Sequence, residues 1–257
     1  MHRLSLLIFV IGAFANPLAY AQDEISGPES FTGPVQMVTV EPLNVMNTEV
    51  DGEYRLVPYR ERRPKWGGTA SLGYSSFEPV YYEPNFVAVD FSDVYSTPET
   101  PLLEIQLSFK RNLSFGSLGL EFGAGMYENQ SDAPDLGESV LTLYPIRLGL
   151  VFALDALRPE PWVVPYVSAG GYLIFYREEL ENSSFNGNSL IAPYVHGGAA
   201  FMLDWIDRVA ARIAYSDSGI EATYVFAEAR MQMASEAVND PDFSTDFSWA
   251  AGLRLEF

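Results

Sequence analysis

The 257-residue chain contains no cysteine, which together excludes disulfide staples, thiolate metal sites, a cysteine nucleophile and a lipid-anchored amino-terminal cysteine. Positive charge is scarce. Fifteen Lys+Arg stand against 34 Asp+Glu, a formal charge of −19, and such a surface is a poor partner for nucleic acid. Histidine is scarcer still, with only His2 and His196, so no metal site is expected from one interior histidine and no cysteine. Past residue 21 no stretch approaches 18 uninterrupted apolar residues, so a membrane would have to be crossed by a closed barrel and not by helices. Yet hydrophobic residues make up 48% and aromatics 14%, too many for a disordered acidic chain. The acid must be segregated from an apolar surface.

The first 21 residues have the pattern of a secretory signal peptide: a basic start at His2 and Arg3, an apolar core from Leu4 to Phe14, and the small-x-small ending Ala19-Tyr20-Ala21. Cleavage before Gln22 removes Arg3 and takes the formal charge from −19 to −20. Residues 22–65 show no sustained period; Gly27, Gly33-Pro34, Pro42 and Asp51-Gly52 punctuate them, and they end in the cluster Arg60-Glu61-Arg62-Arg63-Pro64-Lys65. This reads as an irregular periplasmic lead-in segment.

After Trp66 the pattern changes to runs of period two, at about 66–77, 102–111, 116–127, 139–153, 162–177, 190–203, 220–233 and 246–257. These runs reach the length of about 9–11 residues that a tilted transmembrane strand requires, whereas soluble strands average about five or six. Leu103, Ile105, Leu107 and Phe109 alternate with Glu104, Gln106, Ser108 and Lys110. Leu118, Leu120, Phe122, Ala124 and Met126 oppose Gly119, Glu121, Gly123 and Gly125, and Trp249, Ala251, Leu253, Leu255 and Phe257 oppose Ser248, Ala250, Gly252, Arg254 and Glu256. The expected fold is all-β, an eight-stranded antiparallel up-and-down transmembrane barrel over 66–257 with its apolar face outward. A soluble lipocalin-like barrel with the faces inverted is the alternative, since parity alone does not say which face is inside.

Connections alternate in size. Those after runs two and four are short, whereas 78–101, 128–138, 178–189 and 234–245 are longer and acidic, matching short periplasmic turns and long outer loops. Trp66, Trp162, Trp205 and Trp249 fall near the ends of runs, where an aromatic girdle would meet the lipid headgroups. Asp204–Ser218 predicts a short periplasmic helix between the sixth and seventh strands, with Asp204 as cap, an apolar stripe of Ile206, Val209, Ala210 and Ile213, and Gly219 to end it. It is expected to plug or underlie the barrel mouth.

An eight-stranded barrel has room for side chains but for little continuous water. Glu104, Lys110, Glu121, Arg147, Glu228, Arg230 and Arg254 are expected inside, paired, because an unpaired buried charge is costly. His196 has no neighbouring nucleophile pattern, so it reads as a lumen hydrogen-bonding residue and not as the base of a hydrolase. No catalytic, cofactor-binding or metal residue is assigned, and no cofactor is expected. The outer loops carry Glu78, Glu83, Asp90, Asp93, Glu99, Glu128, Asp132, Asp135, Glu138, Asp240 and Asp242, with Asp246 beside the fourth, but without calcium-loop spacing. The first loop adds Tyr81, Tyr82, Phe86, Phe91 and Tyr95, the best candidate surface for an unknown partner.

The Tyr59-Arg60 to Trp66 entry, Pro165-Tyr166-Val167-Ser168-Ala169-Gly170-Gly171-Tyr172, Leu203-Asp204-Trp205-Ile206-Asp207 leading to Gly219-Ile220, Tyr224 to Arg230, and Gly252-Leu253-Arg254-Leu255-Glu256-Phe257 together carry a resemblance. Over residues 58–257 the chain resembles the OmpA/OmpW-like superfamily of small outer-membrane β-barrels, and more narrowly a group of eight-stranded barrels from predatory and social deltaproteobacteria. The resemblance implies a Gram-negative outer-membrane location, with lipid and the outer-membrane insertion machinery, which reads the carboxy-terminal strand, as partners. The expected function is non-enzymatic, a structural or surface-interaction role through acidic, aromatic outer loops. The alternative is a narrow channel or transporter for a small or hydrophobic ligand.

Overall fold

The computed structural model describes residues 47–50, 53–85, 91–95, 101–131, 139–180 and 183–257; the signal-peptide reading and most of the lead-in lie outside them. The lead-in closes with a small hairpin, β1 (Asn47–Val50) and β2 (Glu53–Leu56), and the single-turn helix α1 (Tyr59–Arg62).

From Trp66 onward, period-two sequence becomes strand. β3 (Trp66–Ser76), β4 (Pro101–Asn112), β5 (Ser117–Gln130), β6 (Ser139–Ala153) and β7 (Val163–Leu180) pair antiparallel with their chain neighbours. The ribbon strand β8 (Ser183–Asn188) folds back on the end of β7. β9 (Ala192–Met202), β10 (Ala222–Gln232) and β11 (Thr245–Glu256) continue the meander, and β11 pairs with β3 through Leu253↔Leu72. That last ladder closes an eight-stranded antiparallel barrel, β3-β4-β5-β6-β7-β9-β10-β11, as the alternation predicts. Closure leaves none of the eight barrel strands as a sheet edge over the barrel wall; β8, paired to β7, is an edge beyond it. Pro145, which has no N–H to give, lies on β6 where the β5 ladder is interrupted between Ala124↔Ile146 and Tyr127↔Leu143.

The faces divide as the parity requires. Leu72, Leu103, Phe109, Leu118, Leu120, Phe122, Leu148, Leu150 and Leu253 are exposed on the outside, while Glu104, Gln106, Glu121, Arg147, His196, Glu228 and Arg230 are buried within. A soluble barrel with an apolar interior would show the reverse. The four tryptophans are all exposed at strand ends, Trp66, Trp162 and Trp205 near the base and Trp249 near the mouth.

The mouth is closed by the protein itself. Phe77, Tyr82, Phe91 and Tyr95 of the first loop pack inward with Phe243 of the last and with Tyr127, Leu141, Leu143 and Tyr176 from the strands. Tyr82 stacks on Phe243 with centroids 4.7 Å apart, and its hydroxyl donates to Glu178 at 3.1 Å. The first-loop aromatics therefore do not form a free surface: Tyr82, Phe91 and Tyr95 are buried and only Tyr81 is exposed, while Phe86 lies outside the described residues. Of the loop acids, Asp90, Glu99, Asp132, Asp135 and Glu138 are likewise outside them. The loop turns inward because its rings gain burial that the solvent side cannot offer.

The helix between the sixth and seventh barrel strands is α3 (Arg208–Ser218), counting the short α2 (Phe91–Val94) in the first loop. Its cap is Asp207, which accepts from the Ala210 N–H at 2.9 Å; Asp204 instead accepts from the Thr223 N–H at 3.0 Å and ties the turn to β10. Gly219 ends it with a φ of 66°, the left-handed geometry glycine adopts without strain. Contrary to the expected plug, no residue of α3 is buried. The base is plugged by α1, whose Tyr59 is fully buried.

Candidate functional site: the filled lumen

Three layers fill the barrel. At its centre, Glu104 on β4 accepts from Arg147 on β6 in a short contact and from Arg230 on β10 at 3.3 Å. Arg230 also binds Glu228 at 2.6 Å. Glu228 in turn receives the Tyr166 hydroxyl at 2.5 Å and faces His196 Nδ1 at 3.1 Å. His196 Nε2 faces Glu121 at 2.7 Å, and Ser168 donates to the same carboxylate at 3.1 Å. Each ring nitrogen of His196 therefore faces a carboxylate, Nδ1 that of Glu228 and Nε2 that of Glu121. That is the hydrogen-bonding position expected of this histidine in the lumen, with Ser168 donating to the same Glu121 carboxylate.

The expected lumen charges do pair, with one exception. Arg254 forms no ion pair among the described residues; its Nε donates to Ser71 at 3.0 Å and its guanidinium lies over the Tyr166 ring at 4.3 Å and the Phe226 ring at 5.1 Å. The quadrupoles of these two rings attract the cation.

The basal layer was only partly legible from the alternation. Lys110 binds Asp155 at 2.8 Å and Glu256 at 2.7 Å. Arg63 binds Asp155 at 2.6 Å, and Ser117 donates to it at 2.7 Å. The Tyr59 hydroxyl donates to Glu256 in a short bond, and Tyr224 donates to Glu256 at 3.3 Å. Burial alone would raise the Asp155 carboxyl, but Lys110, Ser117 and Arg63 hold it below its ordinary value. Burial, reinforced by Glu256 and Asp155, keeps the Tyr59 phenol protonated well above its usual range. Asp155 follows the inward parity of Val151 and Ala153 into the turn, a signal the sequence carries; α1 has one turn and therefore no period to read.

Arg62 clamps α1 to the neighbouring turn. It donates to the Glu221 carbonyl at 2.6 Å and lies 3.4 Å from the Glu221 carboxylate and 3.8 Å from Asp204. Burial outweighs Arg62 and pushes the Glu221 carboxyl from 4.5 up to about 7. The folded state therefore binds the extra proton between those values, so this group makes stability fall as pH rises from 4.5 through about 7. Asp204, raised by the same burial, acts with the same sign. Glu221→Gln is expected to flatten this fall and to stabilise the protein relative to wild type at pH 8 but not at pH 4, measured as urea midpoints across pH.

A cavity of about 30 Å³ lies between the central and basal layers, lined by Lys110, Ser117, Glu121, Asp155, Arg254 and Glu256 among others. That holds a water or two and no continuous file. The lumen glycines do not widen it: a Cβ on Gly123 would meet Arg147 at 3.3 Å, one on Gly149 would meet the Tyr194 hydroxyl at 2.3 Å, and one on Gly73 would meet Phe226 at 2.8 Å. They make room for large side chains. Among the described residues there is no cluster of potential metal ligands.

Fold and lumen thus define a class: a closed eight-stranded antiparallel barrel with an apolar exterior and a filled, ion-paired interior. Solved structures similar to it are of small outer-membrane barrels. Ail, the attachment invasion locus protein of Yersinia pestis, is 12% identical over 76% of this chain and 100% of its own, with a TM-score of 0.43. The N-terminal β-barrel domain of Pseudomonas aeruginosa OprF is 12% identical over 75% and 98%, TM-score 0.38, and Neisserial surface protein A is 13% identical over 76% and 98%, TM-score 0.36. No protein-family model and no curated protein matches the chain. The fold assignment rests on the strand pairing itself.

Proposed function

We propose that the chain is an integral outer-membrane β-barrel with a structural or surface-interaction role and no enzymatic activity. The observation that carries this is the inverted distribution of polarity: large apolar side chains ring the outside of a barrel whose inside is a buried polar network. Exposed apolar surface of that extent needs a lipid solvent. Its partners are outer-membrane lipid along the belt and the insertion machinery at β11, whose ladder runs on to Phe257 through paired bonds with Gly68. The surface available for a partner at the mouth end is Tyr81, Phe185 on the β7–β8 ribbon and Val238, all exposed, in place of the buried first-loop rings.

The narrow-channel alternative is disfavoured by the plugged base, the capped mouth and the ion-paired centre. In planar bilayers the reconstituted protein is expected to give no stepwise conductance. Steady single-channel steps would reject the closed-lumen reading and favour transport.

A further inference from the structure

α3 is an amphipathic helix whose apolar stripe is left uncovered by the described residues. Val209 and Ile213 stand four residues apart on one face, Ile206 leads into them, and the three are 59%, 51% and 64% exposed. The opposite side is engaged: α3 backs onto β2 and β10, and Tyr215 lies under the Arg62 guanidinium at 5.9 Å. The helix is therefore anchored to the barrel base with its oily stripe turned away.

Two features say what that stripe meets. Trp205, just before Ile206, stacks on Trp162 with centroids 6.3 Å apart. Trp162 adjoins Val163, which pairs with Phe201, and both are exposed members of the apolar belt. The stripe is thus continuous with the barrel's lipid-facing surface. Two exposed bases flank these indoles in sequence, Arg158 in the turn before Trp162 and Arg208 on the helix after Trp205. Aliphatic stripe, paired indoles and arginines together make the composition of a helix lying in a headgroup layer.

We propose that α3, with the Trp162–Trp205 pair, is a membrane-surface foot that lies in the headgroup region of the periplasm-facing leaflet, its stripe in the acyl boundary and Arg158 and Arg208 on lipid phosphates. The inference rests on the outer-membrane reading above. It accounts for a helix that neither plugs the barrel nor buries its own apolar face, and it sets the depth at which the barrel rides in the bilayer.

The described residues contain no free cysteine, and the sequence has none, so single cysteines can be labelled cleanly. Ile213→Cys, Val209→Cys, Ser218→Cys at the exposed carboxy-terminal end of the helix, and Leu148→Cys in the belt would each carry an environment-sensitive fluorophore on the full chain in phosphatidylcholine/phosphatidylglycerol vesicles. Nitroxide-labelled lipids would serve as quenchers, and retained heat-modifiable mobility would confirm that each variant is folded. The labels at 213 and 209 are expected to shift to the blue and to lose emission to nitroxides near the headgroup, while the Ser218 label stays water-like. Water-like, unquenched labels at 213 and 209 beside a quenched Leu148 label would overturn the foot and leave the barrel in its membrane. A disulfide-linked dimer of oxidised Ile213→Cys would overturn it in favour of a second copy. An unquenched Leu148 label would overturn the membrane reading and the foot with it.

Discussion

Replacing Glu104 by alanine is expected to destabilise the barrel by about 3–5 kcal/mol, the cost of removing one partner from a buried charge pair. Glu104 is 3% exposed and accepts from both Arg147 and Arg230, with Gln106 Nε2 donating to the same carboxylate at 2.9 Å. Its loss leaves two guanidiniums facing each other across the lumen with only Glu228 to bind one of them. Glu104→Gln, which keeps an acceptor and the volume, should cost less. Adding Arg147→Ala to Glu104→Ala should recover part of the loss, because the Arg230–Glu228 pair survives intact and the stranded cation is gone. Urea midpoints of the refolded protein in lipid give all three values, and a Glu104→Ala cost under about 1 kcal/mol, the range of a surface ion pair, would show that the lumen is wet and its charges screened.

The second large effect is on the outside. Phe122 lies midway along the exposed face of β5, with Leu107 and Leu148 beside it in register. Phe122→Arg is expected to cost about 2–4 kcal/mol in a bilayer, whereas Leu118→Arg, four residues nearer the base, should cost about 0–1. The depth profile is the signature, since an exposed substitution on a water-facing barrel typically changes stability by less than about 0.5 kcal/mol at either position.

Much of this architecture could be read from side-chain parity. Where Leu103 to Lys110 and Leu118 to Met126 alternate without a break, the strand ends agree to within three residues and each lumen charge points inward. Parity assigns a face but not a partner: that Glu104 meets Arg147 depends on the registers Gln106↔Gly123 and Gly123↔Arg147, and that it also meets Arg230 depends on a contact across the lumen from β10, neither of which a local pattern encodes. The helix after β9 was legible from its spacing and from Gly219, but two aspartates three residues apart both suit a cap, and only the tertiary bond to Thr223 assigns Asp204 elsewhere. The helix was expected to plug or underlie the barrel mouth, but no residue of it is buried, because helical spacing reports an apolar face and not what that face meets. The inward turn of Tyr82, Phe91 and Tyr95 and the clamp made by Tyr59 and Arg62 escaped for a related reason. Both are irregular segments whose burial is decided by partners more than 80 residues away, as in the Tyr82–Glu178 and Arg62–Glu221 contacts.

The closed barrel in its membrane underlies each of these expectations, and it can be tested in one gel. The full-length chain would be expressed in a Gram-negative host, the envelope fractionated, and outer-membrane samples run unboiled and boiled in detergent. The account predicts a band confined to the outer-membrane fraction that migrates differently before and after boiling, as a barrel resisting detergent unfolding does. A protein recovered soluble from the periplasm, with the same mobility in both lanes, would contradict it.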